Sequence, residues 1–149
     1  MITVRKARPE DSAAIIYFQQ KMAWETENLI LRPELISNGV EAVFLNPSKG
    51  HYYVAENDGV IVASLLITFE WSDWRNNDIW WFQSVYVDPS HRRKGIFRAM
   101  YQHVKKEAEK QGVPGLRLYV EINNVTACKT YESLGMNSEH YKMYEWLKG

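Results

Sequence analysis

The chain has 149 residues, 46% hydrophobic, 24% charged and 13% aromatic, which puts it in the globular range with the length of a single domain, residues 1–149. Eighteen Lys+Arg balance eighteen Asp+Glu, so there is no global field to draw it to nucleic acid or an anionic membrane, and no apolar run approaches the ~18 residues of a membrane span. Cys128 is the one cysteine, and with four scattered histidines it forms no zinc pattern, so no metal is expected; the MITVRKARPED start reads as no signal peptide and implies a reducing, cytoplasmic setting.

Residues 2–7 alternate apolar and polar as a half-buried strand does, and Arg8-Pro9-Glu10-Asp11 announces a helix with Ile15, Phe18 and Met22 on one face. Pro33 announces a second helix, interrupted by Ser37-Asn38-Gly39 and ended by Asn46-Pro47. Residues 52–56 and 60–71 read as strands joined by the hairpin turn Asn57-Asp58-Gly59. A polar turn leads to a third strand at 79–87, closed by Asp88-Pro89, and short connections make these strands antiparallel neighbours. A basic loop then opens a helix with Ile96, Met100, Val104 and Ala108 on its apolar face, ended by Gly112. Residues 116–121 read as strand, 124–134 as helix with Gly135 beyond it, and 141–147 as a last strand. The order β-α-α-β-β-β-α-β-α-β predicts an α/β (α+β) fold: a mixed, mostly antiparallel central sheet flanked by helices.

The loop is where chemistry is expected. Arg92, Arg93, Lys94 and Arg98 place four positive charges between a strand end and a helical first turn, with Gly95 among them. A helix N-terminus carries unpaired N–H groups and about half a positive charge. Glycine lets backbone approach an anion, and arginine forks match phosphate oxygens. A solvated basic turn explains the loop alone equally well. Neither GxxxxGK[ST] nor GxGxxG occurs, which removes the main support for nucleotide hydrolysis and for hydride transfer.

The stretch Val87-Asp88-Pro89-Ser90-His91-Arg92-Arg93-Lys94-Gly95-Ile96-Phe97 resembles the acyl-CoA-binding motif of the GNAT superfamily of N-acetyltransferases, roughly V-x-P-x-x-[QR]-x-x-G-x-[GA]. It departs at Phe97, a large ring where the family keeps a small residue. A second family element, N-x-x-A-x-x-x-Y-x-x-x-G-[FM], is matched by Asn124, Ala127, Tyr131, Gly135 and Met136. The resemblance implies a GNAT-like fold and acetyl-CoA as cofactor, with an amine acceptor as partner. It implies that backbone of Val85, Tyr86 and Val87 pairs with pantetheine amides, and that Arg93, Lys94, Gly95, Ile96, Phe97 and Arg98 wrap the pyrophosphate. Arg92 and His91 fall to the pyrophosphate or adenosine end. Tyr131 takes the general-acid place, since a phenol of pKa about 10 stays protonated at neutral pH. Asn124 joins the cofactor site and also suits a helix N-cap.

An alkylamine arrives protonated, so a base or water chain must take a proton before attack. The strand position where some relatives place a glutamate holds Trp81, and Glu25 is the first choice, ahead of Glu27 and Glu70. Trp71 and Trp81, with Glu25, Glu27 and Glu70, would form a cation–π and acidic wall for an amine, although core packing explains tryptophans as well. The activity this predicts is acetyl transfer from acetyl-CoA to a primary amine. A non-catalytic acyl-CoA sensor or interaction domain of the same fold stands as the alternative, and neutral charge argues against nucleic acid as a partner. Trp146 and Tyr144 near the end of the chain would suit a homodimer interface.

Overall fold

In the computed structural model, which describes residues 1–149, the alternating N-terminal segment forms strand β1 (Ile2–Lys6). Helix α1 (Ser12–Glu27) follows a short turn at Pro9–Asp11, where Asp11 Oδ2 accepts the Arg8 backbone N–H at 2.7 Å. The buried Asp11 carboxylate is answered by the Arg5 fork at 2.8 and 3.0 Å, and Arg5 also reaches Glu56 on β2 (His51–Asn57) at 2.6 Å. Asn28, in the left-handed region at φ 52°, ends α1.

Helix α2 runs unbroken over Pro33–Leu45, so Ser37-Asn38-Gly39 does not interrupt it. Such residues cost at most about 1 kcal/mol each in a helix, whereas burying a valine gives about 1.5–3 kcal/mol. Val40 and Val43, both buried, hold the helix together. They form one cluster with Ile15 of α1 and with Tyr52 and Val54 of β2.

Strands β3 (Val60–Ser72), β4 (Asn77–Val87) and β5 (Leu116–Arg117) complete a sheet of order β1-β2-β3-β4-β5, antiparallel except for the parallel β4–β5 pair. Asp58 and Gly59 both take positive φ, as a primed hairpin turn between β2 and β3 requires. Helices α1 and α2 cover the sheet face that carries Tyr52, Val54 and Tyr86. Helix α3 (Ile96–Lys110) covers the other face, where Tyr101 stacks on Phe82 at 5.6 Å and His103 meets Tyr53 edge-on.

The chain divides into two compact units, Met1–Arg117 and Leu118–Gly149. The second contains helix α4 (Val125–Ser133). Two expected strands are not as read: β5 has two residues rather than the span 116–121, and residues 141–147 carry no strand. Alternation sets only a side-chain period, whereas a strand is also defined by what pairs with its backbone groups. No helix is long and apolar enough to cross a membrane, and no group of three or more His, Cys, Asp or Glu is placed to hold a metal ion.

Candidate functional site

The most irregular part of the sheet is the second half of β4. Leu66 pairs with Gln83 and Ser64 with Tyr86, so the single residue Leu65 opposes both Ser84 and Val85. That bulge puts Ser84 in the left-handed region at φ 49°, an arrangement that costs a non-glycine residue about 1–2 kcal/mol. On its other edge, β4 pairs with β5 only at Trp80 and Trp81. Within the Met1–Arg117 unit that ladder ends at Trp81, and a strand edge continued from there to Val87 is of the kind that takes an added strand.

Beyond β4 the chain turns twice. Asp88 receives the Ser90 hydroxyl and backbone N–H and lies 3.1 Å from His91 Nδ1, which closes a short turn at Pro89–His91. Arg93 at φ 63° and Gly95 at φ 77° then reverse the chain into α3. Gly95 stands at the N-cap of α3, a 15-residue helix, and offers its first turn no side-chain acceptor. Arg93 and Lys94 are exposed on the same turn. Phe97, the departure from the family pattern, turns inward: its ring meets Phe82 at 6.2 Å and Tyr101 at 6.3 Å, which explains why a large ring is accommodated here.

Glu25, at the end of α1, is brought to this strand end. Its Oε1 accepts Arg92 Nη2 at 2.9 Å and its Oε2 accepts the Tyr86 hydroxyl. These two hydrogen bonds, Tyr86 first, hold its carboxyl below the usual carboxylate range. Burial, then the bond to Glu25, pushes the Tyr86 phenol up to about 12. A carboxylate so engaged takes up a proton poorly, which weighs against Glu25 as the base. Glu27 is exposed at the α1 end. Neighbouring Trp24 turns outward and lines a cavity of about 440 Å³ with Tyr17, Lys21, Leu29 and Ile30.

The expected tryptophan wall is divided by the strand register. Trp71 pairs opposite Asp78 and shares the α3 side of the sheet with Phe69 and Trp80, whereas Trp81 and Glu70 lie on the other side. Trp71 and Trp81 therefore cannot line one pocket. Glu70 Oε1 accepts the Trp81 indole N–H and Arg117 Nη1, both at 2.8 Å, and these bonds lower its pKa. Nothing local in the sequence announces this trio or the Glu25–Tyr86–Arg92 cluster, because the hydrogen bonds to Glu70 and Glu25 that join them span 11 to 67 residues.

Within the 118–149 unit, Asn124 Oδ1 accepts the Ala127 N–H at 3.1 Å and so caps α4. Gly135, at φ 93°, ends that helix, with Met136 N–H donating to the Tyr131 carbonyl at 3.1 Å. The four motif positions other than Tyr131 thus take part in the turns on either side of it. Burial, and then Cys128, push the Tyr131 phenol above its ordinary value, so it is protonated at neutral pH.

Comparison with known proteins agrees with this geometry. The acetyltransferase (GNAT) family model matches residues 12–136. A possible acetyltransferase from Clostridium difficile 630 superposes with a TM-score of 0.90 at 42% identity, covering 99% of this chain and 98% of that one. The [ribosomal protein bS18]-alanine N-acetyltransferase of Escherichia coli K12 is 44% identical over 54 residues, a match that spans 36% of each protein. The phosphinothricin N-acetyltransferase of Streptomyces viridochromogenes is 26% identical over 136 residues, 90% of this chain and 73% of the relative. With a bulged β4 running into a glycine-capped basic turn, and with that match over most of its length, the chain belongs to the acetyltransferase (GNAT) family.

Proposed function

We propose that the protein transfers the acetyl group of acetyl-CoA to a primary amine, either a small molecule or a lysine or N-terminal amine of a protein, by direct attack in a ternary complex. The observation that carries this reading is the continuity of β4 with α3: a bulged strand whose ladder with β5 is formed by Trp80 and Trp81, then a tight basic turn, then a helix N-terminus with glycine at its cap. Those donors suit a ligand with amides at one end and phosphates at the other. The N-acetyltransferase relatives support an amine acceptor, and by name they include one for a ribosomal-protein alanine and one for phosphinothricin.

Acetyl-CoA supplies an activated thioester; the remaining tasks fall to this chain. The backbone of Val85, Tyr86 and Val87 offers ladder partners to the pantetheine amides, and a backbone N–H near Val85 polarises the carbonyl oxygen. Arg93, Lys94 and the first N–H groups of α3 meet the pyrophosphate. The amine nitrogen bonds to the carbonyl carbon as the carbon–sulfur bond breaks, and the Tyr131 hydroxyl gives its proton to the leaving sulfur and regains one from water. The proton that the nitrogen loses goes to water, since both oxygens of Glu25 are engaged by Arg92 and Tyr86. The role of Tyr131 rests on its motif and on its protonated state.

Release of free CoA thiol is the direct assay, run with a peptide bearing an N-terminal alanine and with a panel of small primary amines. Amine-dependent release supports the enzyme reading. Acetyl-CoA binding with no release for any amine would instead favour a non-catalytic acyl-CoA-binding domain.

A further inference from the structure

Arg92 makes three contacts of its own. Its Nε donates to the Val87 carbonyl at 2.8 Å, its Nη2 donates to Glu25 Oε1 at 2.9 Å, and its guanidinium carbon lies 5.2 Å from the centre of the Tyr86 ring. The Tyr86 hydroxyl donates to the other oxygen of the same carboxylate, and its ring packs on Phe18 of α1 at 5.3 Å. One guanidinium therefore ties the end of β4 to the last turn of α1.

We propose that Arg92 and Glu25 are positioning residues for the acetyl-CoA site, a strut that fixes where β4 ends and the basic turn begins, rather than a phosphate ligand and a catalytic base. This rests on the acetyl-CoA reading above and refines it. Two observations favour it. Arg92 is the last extended residue, at φ −73° and ψ 156°, before Arg93 enters the left-handed region, so holding Arg92 sets the direction in which 93–98 leaves the sheet. The Glu25 carboxylate also neutralises Arg92 at close range, so a ligand phosphate would have to displace a carboxylate from a charge-assisted bond. The net positive charge that the turn offers an anion is left to its other cations, Arg93 and Lys94 among them.

Glu25→Gln separates the roles by the sign of its effect. It removes a negative charge beside the turn, so if Arg92 bound phosphate the variant would bind acetyl-CoA as tightly as the wild type or more tightly. If Glu25 were a base, affinity would be unchanged. The strut predicts the opposite: acetyl-CoA affinity falls about tenfold, the equivalent of losing one charge-assisted hydrogen bond. The melting temperature should stay within about 3 °C of the wild type, because Glu25 lies at the surface end of α1. Arg92→Lys keeps the charge but cannot reproduce the fork, and the same loss is expected of it. Wild-type affinity in either variant overturns the proposal. Hydrogen exchange on the ligand-free protein is the second arm: amides of residues 87–95 should exchange at least about fivefold faster in Glu25→Gln. Unchanged exchange there also overturns it. If the wild type itself fails to bind acetyl-CoA, the acetyl-CoA reading falls, while the exchange arm still decides whether Glu25 holds the turn.

Discussion

Tyr131 and Asp11 show how the environment of one group sets what it can do. Tyr131, pushed above its ordinary value by burial, keeps its proton through neutral and mildly alkaline pH, as a donor to sulfur must. Tyr131→Phe should lower kcat about a hundredfold or more and leave acetyl-CoA affinity within twofold, read by steady-state kinetics beside a titration. A fully active variant would remove the acid role. Asp11 is held below its ordinary 3.8, first by the hydrogen bond from Arg5 and partly against burial. Its folded pKa is the lower one, so its contribution is complete above about pH 4 and is lost as the pH falls through the folded value. Arg5→Leu strands that carboxylate and should cost about 2–3 kcal/mol by urea denaturation near pH 7. The variant's deficit should shrink as acidification protonates Asp11. At this scale the sequence is informative where a motif residue also shapes the backbone, as Asn124 does at the cap of α4 and Gly95 at the cap of α3. It is silent where partners come from distant segments: nothing near Glu25 in the sequence announces that Arg92, 67 residues away, donates to its carboxylate.

At the scale of elements, the site is made by irregularity. The bulge at Ser84 carries no glycine or proline, so the 79–87 strand reads as regular in sequence although its second half is not. The basic turn is more legible, because Gly95 marks it. A Cβ added at Gly95 would touch nothing within 4 Å, yet φ is +77°, so the cost of Gly95→Ala is conformational. It should lower stability by about 1 kcal/mol, measured by thermal or urea unfolding, and weaken acetyl-CoA binding as the turn relaxes. Helix α2 teaches the reverse lesson. Three weak helix formers suggested a break, and burial of Val40 and Val43 overrode local propensity. The strand pattern at 116–121 and 141–147 names a side-chain face and leaves the backbone partner unspecified.

For the whole molecule, balanced charge leaves recognition to local features, and the basic turn at 92–98 is the one the account depends on. A ligand bound only by the folded chain stabilises it by mass action, about 2.7 kcal/mol at a hundred times its dissociation constant. Acetyl-CoA should therefore raise the melting temperature of the wild type, and Arg93→Ala with Lys94→Ala should abolish most of that rise without lowering the melting temperature of the free protein. The most direct measurement is calorimetric titration of the wild type with acetyl-CoA, with CoA as control. Micromolar binding that weakens by at least about tenfold when Arg93 and Lys94 are neutralised is the result predicted. Absence of binding at millimolar acetyl-CoA, or binding indifferent to both substitutions, would contradict the assignment of the turn after β4 as the cofactor site.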